Sequence, residues 1–77
     1  MYVLTQGRDA IVNLELTKEI TSHRGMLTDE GYVEADDRVI GKYKTKQRAD
    51  EVLASIFYAS VEYDLKYIID GFDMPKE

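Results

Sequence analysis

Five basic residues, Arg38, Lys42, Lys44, Lys46 and Arg48, fall within eleven positions that hold no acid. On an extended chain Lys42 and Lys44 share one face, and Lys46 and Arg48 follow at what the sequence marks as a helix start. Backbone N–H groups at such a start attract anions. Bases in a first helical turn are unfavourable unless something offsets them. A phosphate, a nucleotide or an acidic protein partner is what this set would bind. The alternative reading places Lys42 and Lys44 on a solvated strand face, paired with acids on neighbouring strands.

Acids dominate on either side of this run. Residues 1–37 hold eight acids against three bases, and residues 49–77 hold seven against two, so the chain carries a net charge of −5. Asp29, Glu30, Glu34, Asp36 and Asp37 gather around one expected hairpin. A strongly acidic surface can imitate nucleic acid and occupy the basic groove of a nuclease or defence complex. The plainer reading is that acidic surfaces keep small proteins soluble. Direct nucleic-acid binding is not expected, because the net charge opposes phosphate approach everywhere except the basic run.

Catalysis finds no candidate. The chain has no cysteine and one histidine, His23, which sits beside Arg24 in a polar stretch. Thiolate chemistry, disulfides, Cys-based zinc sites and multi-histidine metal clusters are therefore excluded. No Ser or Thr is accompanied by the base and orienting group that a nucleophile needs. Asp29-Glu30 and Asp36-Asp37 lack the alternating ligand spacing and central glycine of a calcium loop. No metal or cofactor is expected, and the chain reads as a binding protein rather than an enzyme.

Seventy-seven residues, 44% of them apolar and 32% charged, make one small soluble domain spanning 1–77. A domain of this size buries only about 60% of the surface its unfolded chain exposes. Without disulfides or metal, oligomerisation is one way to compensate, and a homodimer is expected. Six tyrosines and no tryptophan point the same way, since tyrosine joins an apolar body to a polar tip. No apolar run approaches the roughly 20 residues of a membrane span, and no signal-peptide pattern opens the chain, so the expected location is cytoplasmic.

The elements that position these residues follow from periodicity. Met1 to Gln6 alternates as a strand, Gly7-Arg8-Asp9 turns, and Val12, Leu14 and Leu16 alternate with polar residues, giving an antiparallel hairpin. From Lys18 to Gly31 the pattern fades into turn formers around the apolar pair Met26-Leu27. Residues 18–21 are read as an extension of the second strand and 26–28 as a short strand or edge. Tyr32–Ala35 and Arg38–Tyr43 flank the turn Asp36-Asp37 as a second hairpin, with Gly41 marking a bulge or close approach.

Thr45 then caps a helix whose stripe is Ala49, Leu53, Ile56, Phe57 and Ser60, with Val52 at its margin. If the helix continues, Val61, Leu65, Ile68 and Ile69 form a second apolar stripe; with Tyr58 these are the expected oligomer interface. The alternative is that the helix stops near 62–66. Gly71 and Pro75 end regular structure, and 72–77 reads as a flexible tail. The expected fold is α+β: an antiparallel sheet of three to five strands with one C-terminal helix on a face.

Three segments resemble a widespread group of small proteins of Gram-positive bacteria, their phages and prophages. They are Met1-Tyr2-Val3-Leu4-Thr5-Gln6, Ile11-Val12-Asn13-Leu14, and Ile40-Gly41-Lys42-Tyr43-Lys44-Thr45 leading into Arg48-Ala49-Asp50-Glu51-Val52-Leu53. The ending Phe72-Asp73-Met74-Pro75-Lys76-Glu77 is similar to the aromatic-acid-Met-Pro-acid ending of many members. The likeness is weakest from 18 to 38. It implies a β-meander closed by one helix and a mobile-element origin, and it carries over no catalytic residues. The functional expectation is a non-catalytic phage-type accessory protein that acts by protein–protein contact. An anti-CRISPR-like inhibitor of a host defence complex is the foremost form. A nucleotide or phosphate binder using 38–48, and a structural module with some other partner, are the alternatives.

Overall fold

A computed structural model describes residues 1–61 and 71–77. Strands β1 (Tyr2–Leu4) and β2 (Ile11–Asn13) form the first expected hairpin, with Val3 opposite Val12. The second strand does not run on to Leu16. Leu14–Leu16 is a single 3-10 turn, capped by the Asn13 side chain, which accepts the Glu15 N–H at 3.0 Å. Thr17 Oγ1 donates to Asn13 O at 3.0 Å. Short polar side chains bonded to nearby backbone compete with a ladder, and here they end it.

Residues 18–21 likewise do not extend β2. Strand β3 (Ile20–Arg24) belongs to a second sheet with β4 (Gly31–Ala35) and β5 (Arg38–Tyr43), in the antiparallel order β3-β4-β5. The expected strand at 26–28 is instead the connection between β3 and β4. The hairpin β4–β5 matches the expectation. Its turn residue Asp36 takes φ 54°, a conformation Asp tolerates, and its Oδ1 accepts the N–H groups of Lys18 and Glu19, each at 3.1 Å. Val33 faces Gly41 while Glu34 faces Val39, so Ile40 is the extra residue of a bulge beside Gly41.

Helix α1 (Lys46–Val61) starts where Thr45 Oγ1 accepts the Arg48 N–H at 3.0 Å. Its buried line is Ala49, Val52, Ile56 and Ala59, rotated from the expected stripe. Phe57 is 60% exposed, and Ser60 is exposed too. The reason is close approach. A methyl added at Gly31 would lie 2.7 Å from both Ala49 Cβ and Lys46 Cα, so the helix start rests on bare strand backbone. Small residues must face the sheet there, which turns the larger Phe57 outward.

The ending is part of the fold rather than a flexible tail. Strand β6 (Phe72–Asp73) lies parallel to β1, with Val3 facing Phe72, so the first sheet runs β2-β1-β6. Met74 is wholly buried, and the Tyr43 hydroxyl donates to Pro75 O at 2.8 Å. Arg8 Nη1 donates to Met74 O at 2.7 Å. A methionine with such neighbours is held by burial, which Pro75 does not prevent.

The fold is therefore α+β, with two three-stranded sheets in place of one and a strand after the helix. Val3, Phe72 and Met74 of the first layer meet Val33, Ile40 and Tyr43 of the second and the buried line of α1 in one core. No helix among the described residues is long and apolar enough to cross a membrane.

Candidate functional site

The basic run splits when it folds. Arg38 starts β5 at the Asp36 turn, whereas Lys42, Lys44, Lys46 and Arg48 lie at the other end of that strand and the helix start. Lys42 Nζ sits 3.0 Å from Glu30 Oε2, and this hydrogen-bonded carboxylate holds the ammonium above its ordinary pKa. Lys46 Nζ is bonded to the Asp50 carboxylate one helical turn on. Arg48 donates twice to Glu77 O, at 3.1 and 2.9 Å, and its guanidinium carbon lies 6.0 Å from the centre of the Tyr43 ring. Of the run, three members are thus engaged by the chain's own groups. Lys42 is paired as the plainer reading has it, while Arg38 and Lys44 are exposed.

The acidic set is equally dispersed. Asp29 pairs with Arg24 and Glu30 with Lys42 at one end of β4. Asp36 caps the chain at the other end, with Asp37 exposed beside it. Between them Glu34 lies on the face away from α1, 3.5 Å from His23 Nε2. His23 Nε2 is also within 2.7 Å of Thr21 Oγ1. Among the described residues, no three His, Asp or Glu side chains gather as a metal-ligand set.

Of the expected oligomer interface, Tyr58 and Val61 lie on α1 and are 59% and 47% exposed. Leu65, Ile68 and Ile69 lie outside the described residues. The Phe57 and Tyr58 rings meet edge-to-face with centroids 5.8 Å apart, both open to solvent.

Three further features carry no mark in the charge pattern. Gln6 joins the two sheets, donating its N–H to Ile40 O at 2.9 Å and bonding Lys42 through its side chain. Met26 and Leu27 are 99% and 96% exposed at the end of the second sheet. An open groove of about 610 Å³ lies between α1 and the start of β3, lined by Leu14, Ile20, Leu53 and Phe57 among others. An apolar pair set among turn formers was the one sequence signal available for the Met26-Leu27 tip.

No family model, curated protein or solved structure matches this chain.

Proposed function

We propose that this chain is a non-catalytic binding protein of the phage accessory type, acting by steric contact with a host protein. A nuclease or defence complex is the target class, in the manner of an anti-CRISPR. The observation that carries this reading is the solvent-facing aromatic pair Phe57–Tyr58 on α1. Aromatic side chains left in water at this exposure are typical anchors of protein interfaces. The charged candidates are largely bonded within the chain, which favours protein contact over a phosphate site.

The test is affinity capture from a Gram-positive host lysate, comparing the wild-type chain with Tyr58→Glu and with Lys42→Glu/Lys44→Glu. Stoichiometric recovery of a nuclease or defence subunit, lost in Tyr58→Glu and kept in the double variant, supports the reading. A preparation without a protein partner whose absorbance at 260 nm disappears in the double variant overturns it in favour of a nucleotide binder.

A further inference from the structure

We infer that the outer edge of β3 is a self-association site whose occupant is a second copy of this chain, paired antiparallel about a two-fold axis at Ser22. The first argument is backbone direction. Gly25 N–H donates to Glu30 O and Asp36 N–H donates to Glu19 O, so residues 19, 21, 23 and 25 exchange ladder bonds with the β4 side. Ile20, Ser22 and Arg24 then turn their N–H and C=O groups away from β4, where no described residue bonds them. The β5 edge of the same sheet is closed by Gln6, whereas no described residue pairs with the β3 edge. The bulge that spoils a strand for pairing lies on β5, and β3 contains no proline.

The outward groups are symmetric about Ser22. A two-fold there sets Ile20 against Arg24 of the other copy, Ser22 against Ser22, and Arg24 against Ile20. Each pair exchanges two bonds, about six in all. Any extended peptide could satisfy an edge, so the choice of a second copy rests on what lies at the two ends of β3.

At one end is the Met26-Leu27 tip, two large apolar side chains almost fully in water. At the other is the apolar groove beside Ile20. The helix fixes this arrangement: Lys46 N–H bonds Asp29 O near the tip, and Phe57 lies three turns on, toward the groove. Tip and groove are about 20 Å apart along one strand, too far to meet within a copy. Antiparallel pairing about Ser22 carries each tip past the partner's Ile20 to the partner's groove. One operation thereby covers both apolar features and both open edges, and the contact closes on itself.

The test is light scattering with size exclusion over a concentration series, on wild type, Met26→Asp/Leu27→Asp and Tyr58→Glu. The expected result is a wild-type mass twice the 8.9 kDa of the chain, a dissociation constant at least about tenfold weaker in the tip variant, and an unchanged dimer in Tyr58→Glu. Because the tip side chains touch little, the tip variant retains its fold, checked by circular dichroism. Independently, Ser22→Cys introduces the only cysteine. Facing residues at the axis lie about 5.5 Å apart at Cα, within disulfide reach. Mild oxidation is expected to yield a covalent dimer, and Lys44→Cys is expected to yield none. A wild-type monomer at millimolar concentration overturns the inference. So does a dimer that the tip variant leaves intact and Ser22→Cys fails to cross-link. Either outcome leaves the host-protein reading standing, since neither covers the exposed Phe57–Tyr58 pair that carries it.

Discussion

The side chain of Gln6 pairs with Lys42 as a neighbouring strand would. Lys42 N–H donates to Gln6 Oε1 at 2.6 Å, and Gln6 Nε2 donates back to Lys42 O at 2.7 Å. The same Nε2 also donates to Lys76 O at 2.8 Å. One amide thus closes the β5 edge and ties both sheets to the ending of the chain.

Gln6→Ala is expected to lower unfolding stability by about 1–3 kcal/mol, the cost of stranding backbone groups that Gln6 satisfied. Gln6→Glu should be worse near neutral pH, because its carboxylate faces two carbonyl oxygens that need a donor. Urea denaturation of the three proteins reads the order directly. Equal stability of Gln6→Glu and wild type would show that the amide donor is idle.

Met74→Ala is expected to cost about 2–5 kcal/mol, the range for emptying a fully buried aliphatic position. Removal of 72–77 should abolish cooperative unfolding, since it also takes away β6 and Phe72. A thermal melt of each variant decides. A truncated chain that melts like wild type would restore the reading of that segment as a loose tail.

Much of this fold was legible in the sequence, and the failures have physical causes. Both hairpins, the Thr45 cap and the special role of Gly41 followed from turn chemistry and alternation. The buried line of the helix differs from the periodic stripe by part of a turn because periodicity places residues on a cylinder without saying how near the next layer comes. Gly31 sets that distance, and it lies on another element. The ending is not legible as part of the core because Pro75 signals a stop to regular structure but says nothing about burial, which here depends on Arg8, Gly41 and Tyr43. The charged candidates were read from spacing alone. Lys46 and Asp50 stand at the i, i+4 spacing of a helical ion pair and were within reach of the sequence. Glu30 and the Glu77 carbonyl, by contrast, come from separate segments and meet Lys42 and Arg48 only once the chain is folded.

Gly31→Ala is expected to destabilise the protein by about 1–3 kcal/mol through overpacking, with helix content retained. The added methyl must push the Thr45 carbonyl, Lys46 and Ala49 off the strand. Ala49→Gly in the same chain opens space for it and should recover part of the loss, beyond what additivity allows. A double-mutant cycle by denaturant titration checks the pair, and strict additivity would contradict the contact.

Two groups shape the pH dependence. Hydrogen bonds from Lys46 and then Ser22 hold the Asp50 carboxyl below its ordinary pKa. A depressed carboxylate stabilises the fold above its unfolded pKa, and that contribution is lost as pH falls through the folded value. Asp50→Asn should therefore be less stable near neutrality and lose less on acidification, as followed by thermal melts from pH 7 down to pH 3. Burial pushes the Tyr43 phenol above its ordinary value of about 10, outweighing the opposing charges of Arg48 and Arg8. The neutral phenol is the stabilising form, complete below pH 10 and lost as pH rises through the folded value. Tyr43→Phe should remove this alkaline loss while costing about 1 kcal/mol at neutral pH for the bond to Pro75.

The parallel pairing of β1 with β6 joins Val3 to Phe72. During synthesis β1 leaves the ribosome long before β6, one of its two neighbours, exists, by about 3–14 s at ordinary elongation rates. The second sheet and α1, drawn from 20–61, have their pairing partners within that interval. Val3 gains Val12 early but meets Phe72 only after α1 is made, so that side of the core stays uncovered until 72–74 arrive. Folding on the ribosome is thus ordered from the middle outward, with the arrival of β6 as the step that seals the core.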